Sequence, residues 1–191
     1  MKRTIVLAAV CFLLLAACRS KDQEKVTAHP IPAAVQHATR LESAQKPYYY
    51  GLIEEYRTIL EEDPRNLAAI IGLGNAYSES AAWREAIQQY ERALEIDPRN
   101  ADVRSDMGTA YRNIGMPDRA LAEYRQALVQ EPGHLNARYH MGIVYAFDRK
   151  NYSVAIHVWD ELLRIAPTHP QADYMRTCIA TFRKALKKEH P

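Results

Sequence analysis

The sequence predicts an all-α fold, a tandem-repeat solenoid closed by a C-terminal capping helix. Three observations carry that prediction. The chain repeats itself with a period of 34: Gly74, Gly108 and Gly142 stand 34 residues apart, and so do Tyr77, Tyr111 and Tyr145. Periods of this length mark stacked supersecondary units. Inside a unit the apolar residues recur at helical spacing, as at Ile87, Tyr90, Ala93 and Leu94, which gives each helix one face to bury. Prolines recur in the same frame, at Pro64, Pro98, Pro132 and Pro167. Each ends a helix, because proline lacks an N–H and restricts the residue before it.

The elements follow in chain order. Lys2 and Arg3 precede an apolar run of 13 residues, Thr4 to Ala16. That run is shorter than the roughly 20 residues a membrane-spanning helix needs, and it has the layout of a secretory signal peptide. It ends in Leu15-Ala16-Ala17-Cys18, a tetrapeptide that resembles the bacterial lipobox. The resemblance implies cleavage after residue 17 and acylation of Cys18, and so a membrane anchor. Without residues 1–17 the charges balance at 23 basic against 23 acidic. That neutrality argues against nucleic acid as a partner, because phosphate binding needs a basic surplus. Cys11 leaves with the signal and Cys18 carries lipid, so Cys178 is the one thiol left and no intrachain disulfide is expected. Arg19 stands where an aspartate would resemble an inner-membrane retention signal. The expectation is a lipid-anchored envelope protein, on the periplasmic face of the outer membrane if the source is Gram-negative. Residues 18–32 are polar after the cysteine and end in Pro30 and Pro32, which reads as a flexible tether.

Three full units cover residues 67–100, 101–134 and 135–169. The first carries Gly74, Tyr77, Trp83, Ala86, Tyr90, Ala93 and Pro98. The second carries Gly108, Tyr111, Ala120, Tyr124, Ala127 and Pro132, and the third Gly142, Tyr145, Tyr152, Ala155, Trp159, Leu162 and Pro167. These columns resemble the tetratricopeptide repeat, which implies two antiparallel helices per unit. The small residues, such as Gly74 and Ala86, would then mark where the two helices cross closely. The third unit is one residue longer, and the excess is expected in the loop near Asp148–Asn151. Residues 33–66 read as a degenerate half-repeat, with Leu52 where a small residue usually stands and 33–45 as the candidate preceding helix. Residues 170–191 read as the capping helix, with Ile179, Phe182 and Leu186 facing inward and Arg183, Lys184, Lys187 and Lys188 facing water.

Catalytic and cofactor motifs are not found. There is no Cys-x-x-Cys, no Gly-rich phosphate loop and no Gly-x-Ser-x-Gly. His134 and His140 lie six apart, poor spacing for one metal ion. The expectation is therefore no enzyme, no cofactor and no metal. In the repeat family the first helix of each unit lines a concave groove. The resemblance places there Ile71 and Asn75 from the first unit and Asp102, Asp106, Thr109, Arg112 and Asn113 from the second. From the third it places Asn136, Tyr139, Ile143 and Phe147. Family members that grip acidic tails use a clamp of lysine, arginine and asparagine. The matching positions here are Ile71, Asn75, Asp106, Asn136 and His140, and only Asn75 fits. The expected ligand is instead a peptide or helix of a protein partner, held by an acidic-polar middle and an apolar end at Tyr139, Ile143 and Phe147.

The function expected from the sequence is a membrane-tethered adaptor or scaffold. Two narrower resemblances stand beside it. The stretch from Asn151 to Pro167, with Trp159 at its centre, resembles the last repeat of periplasmic cytochrome c maturation factors. The pairing of lipobox with repeats resembles the pilotins that escort outer-membrane machines.

Overall fold

The computed structural model describes residues 33–189, with side chains from Tyr48 to Lys188. The signal, Cys18 and the tether lie outside the described residues. Eight α-helices follow one another and no strand occurs among the described residues. α1 spans Ala33–Glu62, α2 Leu67–Glu79, α3 Trp83–Ile96, α4 Ala101–Asn113, α5 Pro117–Gln130, α6 Leu135–Ile143, α7 Tyr152–Ile165 and α8 Ala172–Glu189. The repeats lie within the compact unit Tyr49–Pro191. Helices α2/α3, α4/α5 and α6/α7 form the three pairs, and each pair packs on the next.

α1 is assigned as helix from Ala33 to Glu62, with Pro47 inside it. The C-terminal part of α1 packs on α2, where Ile53, Leu73 and Ala76 form a small core edged by Leu52, Tyr56 and Leu60. A larger core runs through the three pairs, from Ile70 through Tyr90, Met107 and Tyr124 to Val144. A third joins α6, α7 and α8 around Trp159, Leu162, Met175 and Phe182. This arrangement is what a repeat stack requires, since one helix pair cannot bury both its faces.

The close crossings fall where the glycines stand. A Cβ on Gly74 would sit 2.7 Å from Tyr90 Cε1, and one on Gly108 2.7 Å from Tyr124 Cε1. A Cβ on Gly142 would collide with the Trp159 indole. The rings of Tyr90, Tyr124 and Trp159 are 1 %, 0 % and 0 % exposed, so none can swing aside into solvent.

Each first helix ends in the same way. Ala81, Gly115 and Lys150 occupy one column and all have positive φ, 63°, 78° and 52°. The next residue's N–H then closes the helix end on the tyrosine column: Ala82 on Tyr77 O at 2.8 Å, Met116 on Tyr111 O at 2.9 Å and Asn151 on Tyr145 O at 2.8 Å. A left-handed residue after a helix is the usual place for glycine, yet only the second unit has one. Ala81→Gly is therefore expected to raise stability by up to about 1 kcal/mol, since an L-residue there costs roughly 1–2 kcal/mol; thermal melting checks it.

The extra residue of the third unit is not in the loop. It is taken up as a π-turn over Val144–Asp148, with Arg149 N–H donating to Val144 O at 3.0 Å. The wide turn keeps Tyr145 in its column, and the helix-ending bond from Asn151 N–H to Tyr145 O spans six residues here against five in the other two units.

Candidate peptide-binding groove

The row of first helices is set in register by their N-caps. Asn66, Asn100 and His134 each accept a hydrogen bond from the backbone N–H three residues on, at 3.0 Å in every case. His134 does so through Nδ1, so its Nε2 carries the proton and donates to Asp102 Oδ1 at 2.9 Å. His169 continues the column before α8, with Nδ1 accepting from Gln171 N–H at 3.2 Å. Both histidines are buried. His134 is a helix cap in place of asparagine, a role that its spacing from His140 did not disclose, whereas His169 accepts within the turn ahead of α8. The repeat column itself, 66, 100 and 134, held the signal for the cap.

Second helices brace the groove from behind. Tyr90 OH donates to Asn75 Oδ1 at 2.8 Å, and Tyr124 OH shares a 3.1 Å hydrogen bond with Thr109 Oγ1. Because Asn75 Oδ1 is engaged by the tyrosine, its amide N–H groups are left to face a ligand. Desolvation holds the Tyr90 hydroxyl in its protonated form and pushes Tyr124 up to about 12, so both remain donors near neutral pH.

The structure sorts the eleven expected groove residues into three groups. Asn75, Asp102, Asp106, Asn113 and Asn136 are exposed, and Thr109 is half-buried beside them. These polar side chains line the first helices of successive pairs. Ile71 and Arg112 are present but occupied. Ile71 packs on the main core, and Arg112 forks onto Asp148, with Nε 2.5 Å from Oδ2. The apolar end differs from expectation. Ile143 is buried at 9 % exposure against residues of α8, and it belongs to the core rather than to the groove. Tyr139 lies half-buried among Trp159, His140 and His169. Phe147, still 41 % exposed, meets Phe182 edge-on at 6.1 Å. α8 thus covers the surface that the sequence suggested for apolar anchors. A capping helix must cover the last repeat's apolar face, and these residues are that face. Sequence reasoning missed Asp148, whose link to Arg112 depends on the π-turn.

What remains open is polar and acidic. Among the described residues Asp106 makes no ion pair or hydrogen bond, whereas Asp102 has His134 and Glu79 accepts from Tyr49 OH at 3.1 Å. Asp106 is exposed, yet the protein around it displaces part of its solvent. That desolvation comes first, and the charges of Asp102 and Glu79 add to it; they push its carboxyl up to about 6, against partial relief from His134. His140, stacked on Tyr124 at 6.0 Å between centroids, moves the other way. Burial first, then Arg112, His169 and His134, bring it down to about 4.

These two shifts have opposite linkage. Asp106 binds its proton more readily folded than unfolded, so ionising it above about pH 6 costs stability, and the cost disappears as pH falls towards 3.8. His140 binds its proton less readily folded, so stability is lost as pH falls from 6.5 towards about 4. Asp106→Asn should stabilise the fold at pH 7 by about 1 kcal/mol, after allowance for screening in an open groove. That advantage should shrink towards pH 4, while His140→Asn should gain on the wild type over the same range. Melting temperatures against pH check both signs; pH-independent differences would refute them.

An all-helical solenoid of antiparallel pairs, with a polar face on its first helices, is a scaffold for holding another protein. Residues 74–115 match the TPR repeat family and residues 105–170 the tetratricopeptide repeat. The chain belongs to the tetratricopeptide-repeat family. Two solved structures share its fold. A crystal structure of MamA is 23 % identical with a TM-score of 0.62, covering 78 % of this chain and 92 % of that one. A crystal structure of MamA protein is 21 % identical with a TM-score of 0.60, covering 77 % and 85 %. No curated protein matches the chain. Repeats of this kind are protein-interaction modules and typically have no enzymatic activity, which makes the chain a protein–protein interaction adaptor in that general sense. Among the described residues no helix is long and apolar enough to cross a membrane, and no group of three His, Cys, Asp or Glu could hold a metal ion.

Trp159 carried the resemblance to cytochrome c maturation factors. Its ring is fully buried against Gly142, Phe182 and Tyr174, and its Nε1–H donates to Tyr139 O at 3.1 Å. Packing alone accounts for a tryptophan there.

Proposed function

We propose that this protein is an envelope adaptor, tethered to the membrane by lipid on Cys18, whose groove holds an extended segment of a partner protein with a cationic side chain against Asp106. The observation that carries the reading is Asp106 itself. It is a desolvated carboxylate with no partner among the described residues, set among exposed polar groups on the first helices. An ionised group in that position lowers stability, and such a cost persists where the group serves binding. A lysine or arginine from the partner would supply the missing charge and a charge-assisted hydrogen bond. Asn75 on α2 and Asn113 on α4 are also exposed and carry amides for an extended backbone, Asn113 Nδ2 already donating to Thr109 O at 3.0 Å.

Two experiments test the two halves. For the anchor, Cys18→Ser should leave an unprocessed precursor that takes up no labelled fatty acid; normal labelling of that variant would end the lipoprotein reading. For the groove, a library of extended peptides should yield binders that carry lysine or arginine. Asp106→Asn should weaken them about tenfold to a hundredfold, the worth of a hydrogen bond to a charged group. Selection of acidic peptides, or equal binding by the variant, would contradict it.

A further inference from the structure

The charges of the chain are unevenly placed. From Tyr49 to Met175 there are 13 basic and 19 acidic residues, whereas from Arg176 to Lys188 there are five basic residues and no acidic one. All five lie on α8. Arg176 is tied to Asp173 at 2.9 Å and Arg183 to Asp160 at 2.6 Å. Lys184, Lys187 and Lys188 have no ion-pair partner among the described residues. At 3.6 residues per turn they share one side of the helix with Asp173, Thr177, Ala180 and Thr181; all are exposed, and Asp173, the one acidic residue there, is the partner of Arg176. That side carries no large apolar residue, so it is not an unfinished core. The opposite side, with Met175, Cys178, Ile179 and Phe182, is buried against α6 and α7. The helix dipole favours cations in the last turn, which accounts for Lys187 and Lys188 but not for Lys184 one turn earlier.

We propose that the outward side of α8 docks on an anionic phospholipid surface through Lys184, Lys187 and Lys188. Each lysine near such a surface contributes attraction that decays within a Debye length. The acidic body would be repelled by the same surface, so the attraction orients the domain with α8 towards the headgroups. Small polar side chains between the lysines let the helix lie close. This inference concerns a different surface from the groove and does not depend on how the N-terminus is anchored.

The test is lysine acetylation footprinting of the full chain mixed with lipid nanodiscs. One set of discs is phosphatidylcholine alone and another also contains phosphatidylglycerol. On anionic discs, acetylation of Lys184, Lys187 and Lys188 should slow by at least about threefold and recover at high salt, while Lys150, on the π-turn side of the third unit, is unchanged. Equal rates on the two kinds of disc would overturn the proposal. Protection by soluble polyphosphate without protection by anionic discs would also overturn it, in favour of a dissolved polyanion.

Discussion

Trp159→Ala is expected to destabilise the protein by about 3–5 kcal/mol, the range for deleting a large aromatic side chain from a packed core. Its ring has no exposed surface. It stacks on Phe182 at 6.3 Å, meets Tyr174 edge-on at 6.3 Å and fills the notch left by Gly142. Removing it opens a cavity where α6, α7 and α8 meet, and it orphans the Tyr139 carbonyl that the indole N–H serves. The loss should be local, because stability in a repeat stack is close to a sum over neighbours. Hydrogen exchange should show α7 and α8 losing protection first, while α2 to α5 keep theirs. Uniform loss along the chain would mean that the stack unfolds as one unit.

Gly108→Leu is expected to cost about 3 kcal/mol, at the upper end for overpacking. Even the first added carbon meets Tyr124 at 2.7 Å from Cε1 and 2.9 Å from Cδ1. The tyrosine cannot retreat, since it is fully buried and its hydroxyl is committed to Thr109. The helices must part, and the damage then reaches Thr109, one of the candidate groove residues. A melting temperature equal to that of the wild type would place the crossing elsewhere. Gly115→Ala makes a useful contrast. Nothing lies within 4 Å of a Cβ there, and the cost comes only from its positive φ.

The fold was legible because each repeat column has one physical job. Glycine before a buried ring, alanine at a crossing and proline after a helix can each be read from spacing alone. The unreadable parts depend on neighbours distant in sequence. Nothing near Ile143 says that Met175 and Cys178 will cover it, so it looked like groove and proved to be core. The histidine at 134 looked idle because asparagine is the commoner cap, and only the alignment with Asn66 and Asn100 reveals its task. The extra residue near Asp148 was placed correctly along the chain but in the wrong kind of structure. A helix could absorb it by widening one turn, which no composition signal announces. The exposure of most of the polar candidates was readable, since it follows from the repeat register. That Asp106 lacks a partner was not, because Asp102 has the same chemistry and acquires one from His134, the N-cap of the next first helix.

The central claim is that the polar face of the first helices holds a partner segment through Asp106. The most direct measurement is photocrosslinking in cells from a probe at position 113, with Gln88 on the second-helix side as control, in the wild type and in Asp106→Lys. The account predicts one discrete adduct from position 113, none from position 88, and loss of the adduct when Asp106 is reversed in charge. Equal capture at both positions, or an adduct unchanged in Asp106→Lys, would contradict it.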